Sequence, residues 1–393
     1  MEYWKCSSDS FFTLCLPKWD ALLMMFLQRW DAPQLTNKAR IPKYRKKGGL
    51  AVVSYPARWV KLVKGQLKFT LGKQVKAWFG IDHFLLPMPS NIDLKSIKEY
   101  RFVPRNGCFY LEFVYERPSP EQVIPTEKVL GIDPGLNNWL TCVSNIGRSF
   151  IVDGRKVKSQ NQWYNKRVAA IKKGKHQDYW DEQLASYTEK RNRQMRDNVN
   201  KAARFVVNWC IRNQISTVVF GWNKRNKDGI NIGNKNNQQF VQTPTAKLKN
   251  RIEQLCIEHG IKFVETEESY TSKASFLDND FLPTLGGKPE GWKESGRRVR
   301  RGLYRSGKGE LINADCNGAC NIFRKVATQL GFSLVEVGRA ALNLPQRYRL
   351  DSLSKSYRKA SWSAVSTRVT TRLLESLHFQ TRESSNSTFP SVG

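Results

Sequence analysis

The sequence predicts an α/β fold in which a mixed β-sheet with flanking helices follows a small antiparallel β-barrel. Three short apolar runs lie within residues 129–152, and strand-like and helical segments alternate after them. Upstream, residues 50–117 show hairpin signals and period-two alternation. A length of 393 residues accommodates two domains with tails.

The first segments differ in character. Residues 1–36 mix aromatic, apolar and charged residues without periodicity, so we interpret them as an atypical or truncated N-terminal segment. Residues 37–120 form the predicted barrel domain, because Lys64-Gly65 and Asn106-Gly107 are two-residue turn signals between strand-like runs. Its basic start is either a solvated loop or a contact to backbone phosphates of nucleic acid, through Lys43, Arg45, Lys46 and Lys47.

The stretch from Val129 to Leu140 organises the rest of the chain. An apolar run ends on Asp133, and the following Pro134-Gly135 pair predicts a turn into a second apolar run, Trp139 to Val143. We therefore expect a hairpin with Asp133 exposed at the tip of a strand. Alone, an Asp before Pro-Gly is most often only a turn residue.

The elements after this hairpin match the ribonuclease H type of α/β sheet. A third strand is predicted at 149–152, strands follow at 216–220 and 261–264, and the predicted helices span 161–173, 181–213, 244–258 and about 314–330. We assign residues 127–330 to this domain. Residues 270–313 form a Gly- and Arg-rich insertion, and residues 331–393 are expected to be a basic flexible tail.

The net charge of the chain indicates its class of binding partner. Lys and Arg total 65 against 34 Asp and Glu, for a net charge of +31, so a polyanion such as DNA or RNA is the first partner to consider. The apolar stretch from Ala21 to Leu27 is too short to span a membrane, and we expect a cytoplasmic, nucleoid-associated protein. The eight cysteines are expected to be buried free thiols. A structural zinc site needs two Cys or His pairs, and the sequence has no two such pairs close together. The insertion contains neither Cys nor His, so we predict no structural zinc.

Carboxylates stand where predicted elements begin or end. Asp133 ends a strand, Glu265, Glu267 and Glu268 follow the strand at 261–264, and Asp315 begins the last helix. Phosphodiester hydrolysis by two divalent ions about 4 Å apart needs shared carboxylates, because hard cations prefer oxygen ligands. In a ribonuclease H type sheet the first strand is central and the last helix packs beside it, so Asp133 and Asp315 can meet.

These residues also resemble a known family, the TnpB-type (OrfB) transposon-encoded proteins, over about residues 42–326. The resemblance rests on four segments in order: Gly131-Ile132-Asp133-Pro134-Gly135, Val219-Phe220-Gly221-Trp222-Asn223, Glu268-Ser269-Tyr270-Thr271-Ser272-Lys273-Ala274-Ser275 and Ala314-Asp315-Cys316-Asn317-Gly318-Ala319-Cys320-Asn321-Ile322. It implies RNA-guided DNA cleavage by a RuvC-like domain with two Mg²⁺ ions, in support of transposition. Protein partners are not implied.

The resemblance assigns the site residues. Asp133, Glu268 and Asp315 would be catalytic and bind Mg²⁺, with Glu267 as the alternative to Glu268. Many relatives place the middle acid after the strand that here reads Val218-Val219-Phe220, where Phe220, Gly221 and Trp222 cannot bind metal. A neighbouring strand is about 4.8 Å away, a distance that a Glu side chain from the next loop can cover. Further nucleic-acid contacts are expected from the insertion, at Arg297, Arg298, Arg300 and Arg301.

Two other functions stay open on the sequence. A catalytically decayed or truncated transposon remnant, or a regulator, would bind nucleic acid without cutting it. A structure-selective resolvase with the same core would cut branched DNA without RNA.

Overall fold

The structure is a computed structural model that describes residues 50–116, 127–223, 243–331, 337 and 339–353. The chain divides into two compact units between Val53 and Ser54, and the described sheets and helices belong to the second unit, apart from Val53, the first residue of the first strand. The expected N-terminal segment, 1–36, and the basic residues Lys43, Arg45, Lys46 and Lys47 lie outside the described residues.

The small antiparallel β-barrel that the sequence predicts takes the form of two packed three-stranded sheets. The elements are β1 Val53–Pro56, β2 Lys61–Val63, β3 Gln66–Thr70, α1 Lys73–Phe79, β4 His83–Pro87, β5 Ile97–Arg105 and β6 Cys108–Tyr115. The strand orders are β1-β5-β6 and β2-β3-β4. Both predicted turns are present, since Lys64 (φ 47°), Gly65 (φ 76°), Asn106 (φ 48°) and Gly107 (φ 74°) have the positive φ of tight hairpins. The fully buried side chain of Phe69 packs on Tyr55, Phe84, Tyr100 and Phe102.

The second part of the described chain is built around a six-stranded sheet. The elements are β7 Val129–Pro134, β8 Asn138–Ser144, β9 Ser149–Asp153, α2 Arg155–Lys172, α3 Glu182–Arg212, β10 Thr217–Gly221, α4 Thr245–Glu258, β11 Lys262–Thr266, α5 Ala314–Leu330, α6 Arg339–Asn343 and β15 Gln346–Arg349. The strand order is β11-β10-β7-β8-β9-β15. β8 is antiparallel to β7 and β9, whereas β10 is parallel to both β7 and β11. With the first strand in the centre and the second antiparallel, this is the predicted ribonuclease H-like sheet.

The two faces of the sheet pack on different helices because side chains alternate along each strand. Leu130 and Ile132 of β7 join the core that includes residues of α3 and α4, while Val129 joins the core built around α5. Gly131 lies on the α5 face, where a Cβ would come within 2.3 Å of Phe323 Cδ1 and 2.7 Å of Ala319 O. Asp133, two residues further along, is therefore on the α5 face.

The insertion carries its own small sheet. Its strands are β12 Arg297–Arg300, β13 Leu303–Arg305 and β14 Leu311–Asn313, paired in the order β12-β13-β14. β14 leads directly into α5, which begins at Ala314 after the N-cap residue Asn313. The predicted last helix, about 314–330, is confirmed.

Residues 339–353 differ from the flexible tail that we expected from residue 331. Gln346–Arg349 pairs with β9 in parallel as the sixth strand, and Ala341, Leu342 and Leu350 are buried. The few apolar residues of this segment suffice for order, because they cover the end of an existing core rather than building a new one.

Two further expectations concern thiols and membranes. Of the described cysteines, Cys108 is partly exposed, and the others are buried free thiols as predicted: Cys142, Cys210, Cys256, Cys316 and Cys320. Among the described residues, no helix combines the length and apolar character needed to cross a bilayer.

Candidate metal centre

Asp133 lies at the end of β7, but it is less exposed than the sequence suggested. The residue keeps some exposed surface, while its carboxyl group is enclosed beside α5. Burial raises the pKa of this carboxyl well above its usual range, and the nearby charges of Glu268 and Asp315 raise it further. Gly318 of α5 permits the contact, because a Cβ there would lie 2.7 Å from Asp133 Oδ2.

Asp315 reaches the same place from the first turn of α5. The side chain of Asn313 caps this helix by accepting hydrogen bonds from the backbone N–H groups of Asp315 (3.0 Å) and Cys316 (3.1 Å). A carboxylate in the first turn is also favoured by the helix dipole. Asp315 Oδ2 accepts from Asn138 Nδ2 at 2.6 Å, and Oδ1 accepts from an Arg298 NH group at 2.9 Å.

Glu268 comes from the loop after β11. Its backbone N–H donates to Asn223 Oδ1 at 2.9 Å, and its carbonyl accepts from the Thr271 hydroxyl at 2.8 Å, which fixes the loop at this residue. The side chain extends across the end of β10. A Cβ on Gly221 would come within 2.9 Å of Glu268 Cγ and 3.1 Å of Glu268 Oε1. Glu268 thus occupies the space that a side chain at position 221 would take, at the end of β10.

The other two acids of this region face different partners. Glu267 forms an ion pair with Lys325 (2.6 Å) and accepts from the Leu285 backbone N–H (3.1 Å). Burial is the largest single influence and opposes ionisation of Glu267, but the hydrogen bonds from Lys325 and the Leu285 N–H, with the charge of Lys325, together outweigh it and leave the pKa lowered. Glu265 pairs with Lys249. Of the three candidates, Glu268 is the one whose charge acts on Asp133.

The donor set fits a hard divalent cation. Three carboxylates converge, and two glycines leave the room that Asp133 and Glu268 require. Within the described part of the chain, however, no three His, Cys, Asp or Glu side chains are already placed around one ion. Both oxygens of Asp315 accept hydrogen bonds from neighbouring side chains, Asn138 and Arg298.

The four arginines of the insertion that are predicted to contact nucleic acid differ in what their side chains face. Arg298 points at Asp315, whereas its neighbour Arg297 lies opposite Arg305 across the hairpin and lines a shallow open pocket. Arg300 and Arg301 are exposed. For all four, contact with nucleic acid stays a prediction.

Sequence reasoning missed the roles that several residues have in this centre, including Arg298, which it assigned to nucleic-acid contact. Asn138 and Arg298 hold Asp315, and Gly221 and Gly318 make room for carboxylates. Asn317 and Asn321, at i and i+4 on α5, both donate to the Ala274 carbonyl and so anchor the start of the insertion. The spacing of these two asparagines was the available signal.

Fold and site together define a ribonuclease H-like α/β protein whose candidate acidic site lies at the end of the central strand β7. Residues 112–227 match the family model OrfB_IS605, described as probable transposase. This match confirms the resemblance to the TnpB-type (OrfB) proteins. A comparison with curated proteins found no match.

Solved structures give distant likenesses. A cryo-EM structure of a Cas12f1–sgRNA–target DNA complex is similar at 16% identity and a TM-score of 0.34, covering 69% of this chain and 66% of that chain. A cryo-EM structure of a CRISPR-Cas12f ternary complex is similar at 20% identity and a TM-score of 0.35, covering 57% and 45%. The chain thus spans less than two thirds of the length of either.

Proposed function

We propose that this chain is a divalent-metal-dependent, RNA-guided DNA endonuclease of transposon origin. The observation that carries the proposal is the convergence of Asp133, Glu268 and Asp315 on one face of a ribonuclease H-like sheet. The family match supports transposon origin, and the charge of +31 supports a nucleic-acid substrate.

Asp133, Glu268 and Asp315 would hold two Mg²⁺ ions, which when bound supply an activated water and stabilise the leaving oxygen of the phosphodiester. The chain's own contribution is to place three acids in advance. β7 fixes Asp133 from the sheet, the Asn223 and Thr271 contacts fix the Glu268 backbone, and the Asn313 cap fixes the helix turn that carries Asp315. Mutual repulsion of the carboxylates favours the ion-bound state.

Recognition would be shared between protein and RNA. Sequence choice would come from pairing between a transposon-derived guide and the DNA, while exposed basic side chains bind backbones. The predicted contacts of the insertion are all exposed: Arg297, Arg298, Arg300 and Arg301.

The test is plasmid cleavage by the full chain, co-expressed with RNA transcribed from the flanking transposon DNA. We expect Mg²⁺-dependent cutting that Asp133→Ala and Glu268→Gln abolish. Glu267→Gln is the matched control, because the adjacent acid faces Lys325 instead, and it should cut like the wild type. Equal cutting by wild type and Asp133→Ala contradicts the proposal. Salt-sensitive binding without cutting under any condition favours the non-cleaving alternative.

A further inference from the structure

A pair of aromatic side chains lies beside the loop that carries Glu268. Tyr270 comes two residues after Glu268, and its ring meets that of Trp292 edge to face, with the ring centroids 5.5 Å apart. Both residues are partly exposed, and neither is among the residues of the three apolar cores in the described chain. The two rings therefore pack on each other outside the cores, where a ligand can reach them.

Tyr270 has a backbone conformation that favours glycine. Its φ is 64°, in the left-handed region, where a residue of this size is strained. The backbone closes around it, because the Thr271 N–H donates to the Glu268 carbonyl at 3.2 Å and the Ala274 N–H donates to the Tyr270 carbonyl at 3.0 Å. Glycine would make the same backbone contacts without strain. The sequence thus places a ring where the backbone alone favours glycine, and such strain is typical of functional sites.

Trp292 is held in place by contacts within the insertion. Its indole N–H donates to the Phe281 carbonyl at 3.1 Å, and the Lys288 ammonium lies 5.6 Å from the centroid of its ring. The same segment is attached to the loop after β11 a second time, because the Leu285 backbone N–H donates to Glu267 at 3.1 Å. These contacts fix the aromatic pair relative to the loop that carries the candidate metal ligand.

Aromatic faces next to a lysine suit the bases of an unpaired nucleic-acid strand. An unpaired base stacks on Trp or Tyr, and a neighbouring ammonium attracts the adjoining phosphate. Two residues of chain span at most roughly 7 Å, so a base stacked on Tyr270 belongs to the same short stretch of strand as a phosphodiester at Glu268. Phe281 and Leu285, 63% and 79% exposed, extend the apolar surface. The net charge of +31 favours a polyanion over an apolar protein partner here.

We propose that Tyr270 and Trp292 form a stacking site for an unpaired base of the DNA strand that is cut, next to the scissile phosphodiester. The two rings bind and orient the strand, and they take no part in breaking the bond. This inference rests on the proposed function, because pairing of the guide with one DNA strand is what leaves the other unpaired.

The first experiment locates the contact by photo-crosslinking. The full chain is irradiated in EDTA with single-stranded DNA that carries 5-iodouracil, which couples to an aromatic ring stacked on it, and peptide mapping identifies the coupled residue. We expect coupling at Tyr270 or Trp292. Trp180 is the built-in control, because at 55% exposure it should react if exposure alone decides. Absence of coupling at both rings of the pair overturns the proposal, and so does coupling of the matching RNA but not of the DNA.

The second experiment measures affinity for a short single-stranded oligonucleotide at about 200 mM salt, where phosphate contacts are weakened. Tyr270→Gly and Trp292→Ala should bind roughly tenfold more weakly, as expected for one lost stacked base. Tyr270→Phe keeps the ring and should bind like the wild type. An oligonucleotide with abasic sites should lose the same factor with the wild type and nothing further with Trp292→Ala, because one contact is removed from either side. Additive losses overturn the site.

Tyr270→Gly also separates binding from stability. The midpoint of urea unfolding should stay close to that of the wild type, because relief of the left-handed strain offsets the lost ring contact. Affinity for the oligonucleotide should fall nonetheless. A lower midpoint with wild-type affinity would show that the ring serves the fold, and would overturn the site.

This inference and the proposed function can fail separately. If the wild type and Trp292→Ala bind the oligonucleotide equally while the guided complex still cuts plasmid, the proposed function stands and the stacking site is overturned. If the rings couple to DNA but no preparation cuts, the site stands as a binding site for unpaired DNA and the endonuclease activity does not.

Discussion

A carboxylate can lie against a strand or a helix only where no Cβ competes for the space. Gly318 provides that space for Asp133, and Gly221 provides it for Glu268. In both places the φ angle is not that of the left-handed region, so the requirement for glycine is steric. β10 has no acid at its end. The side chain of Glu268, from the loop after β11, reaches this position, and Gly221 leaves the space for it.

Gly221→Ala tests this steric requirement. The new Cβ would meet Ile322 Cδ1 at 2.5 Å and Glu268 Cγ at 2.9 Å, so α5 or Glu268 must shift. We expect a loss of about 1–3 kcal/mol of unfolding free energy, measured by urea denaturation, because the site is overpacked. We also expect weaker Mn²⁺ binding, because Glu268 is displaced.

Gly72→Ala is the control for Gly221→Ala. A Cβ at Gly72 meets nothing within 4 Å, and φ is −66°, so the added methyl is accommodated. It should change stability by a few tenths of a kcal/mol at this N-cap position. Wild-type Mn²⁺ affinity in Gly221→Ala would show that Glu268 does not depend on this space.

At the scale of elements, the sixth strand is linked to the metal centre by a chain of hydrogen bonds. Asp153 accepts from Arg347 at 3.1 Å, Arg347 donates to Asn138 Oδ1, and Asn138 Nδ2 donates to Asp315. The arginine determines which end of the Asn138 amide faces Asp315, since a carbonyl turned toward the carboxylate would repel it. β15 thus positions an acid that it does not touch.

Arg347→Gln breaks this link, and we expect about tenfold weaker Mn²⁺ binding, the lower end of the range for residues that orient metal ligands. Arg349→Gln removes the same charge from the same strand without touching the contacts of Asn138, and should bind Mn²⁺ like wild type. Equal affinities of the two variants would mean that Asn138 holds its orientation without Arg347.

The insertion is held together by carboxylate and tyrosine hydrogen bonds. Asp280 accepts from the backbone N–H groups of Ser275 (2.7 Å) and Ser295 (3.0 Å), and Asp278 accepts from that of Gly307 (2.6 Å). The Tyr304 hydroxyl donates to the Lys273 carbonyl at 2.7 Å. These contacts join the start of the insertion to its hairpin, which carries Arg298.

Tyr304→Phe tests this arrangement through its pH dependence. Burial, with the charges of Asp280 and Asp278, raises the pKa of Tyr304 to about 12 from 10.0. Below pH 10 the phenol is neutral in both states, so the variant should lose only its hydrogen bond, about 1 kcal/mol. From pH 10 to 12 only the unfolded wild type ionises, so wild-type stability should fall faster than that of the variant. Parallel urea-denaturation series across this range would contradict the raised pKa.

Local signals explain which elements the sequence could predict. Lys64-Gly65 and Asn106-Gly107 act within a few residues, and both turns were found in place. The last helix also begins at residue 314, close to its predicted start. The approach of Asp315 and Glu268 to Asp133, which their charges influence, depends on the strand order, and the early run of three strands indicated that order. Contacts such as Arg298 with Asp315 could not be predicted, because they depend on how the insertion folds back over α5. The strand at 346–349 was missed because its order comes from pairing with β9.

For the whole molecule, the charge of +31 favours binding of a polyanion, and the salt dependence of that binding reports how many phosphates take part. The triple variant Arg297→Gln, Arg300→Gln, Arg301→Gln removes three cations of the insertion. If each contacts one phosphate of duplex DNA, the slope of log K against log salt concentration should become less steep by roughly 2.7, at about 0.9 per contact. Fluorescence anisotropy with labelled duplex between about 50 and 200 mM salt measures it.

A second triple variant distinguishes long-range electrostatic attraction from direct contact, because it removes the same number of charges from another part of the chain. Lys166→Gln, Lys172→Gln, Lys173→Gln, in α2 and at its C-cap, lowers the net charge equally, away from the hairpin that carries Arg298. Because counterion release counts phosphates actually neutralised, only the set of residues that touches the duplex should change the slope. A slope changed by the insertion variant and not by the α2 variant would place DNA next to the metal centre. Equal changes would mean diffuse binding, and an unchanged slope in the insertion variant would remove these arginines from the DNA interface.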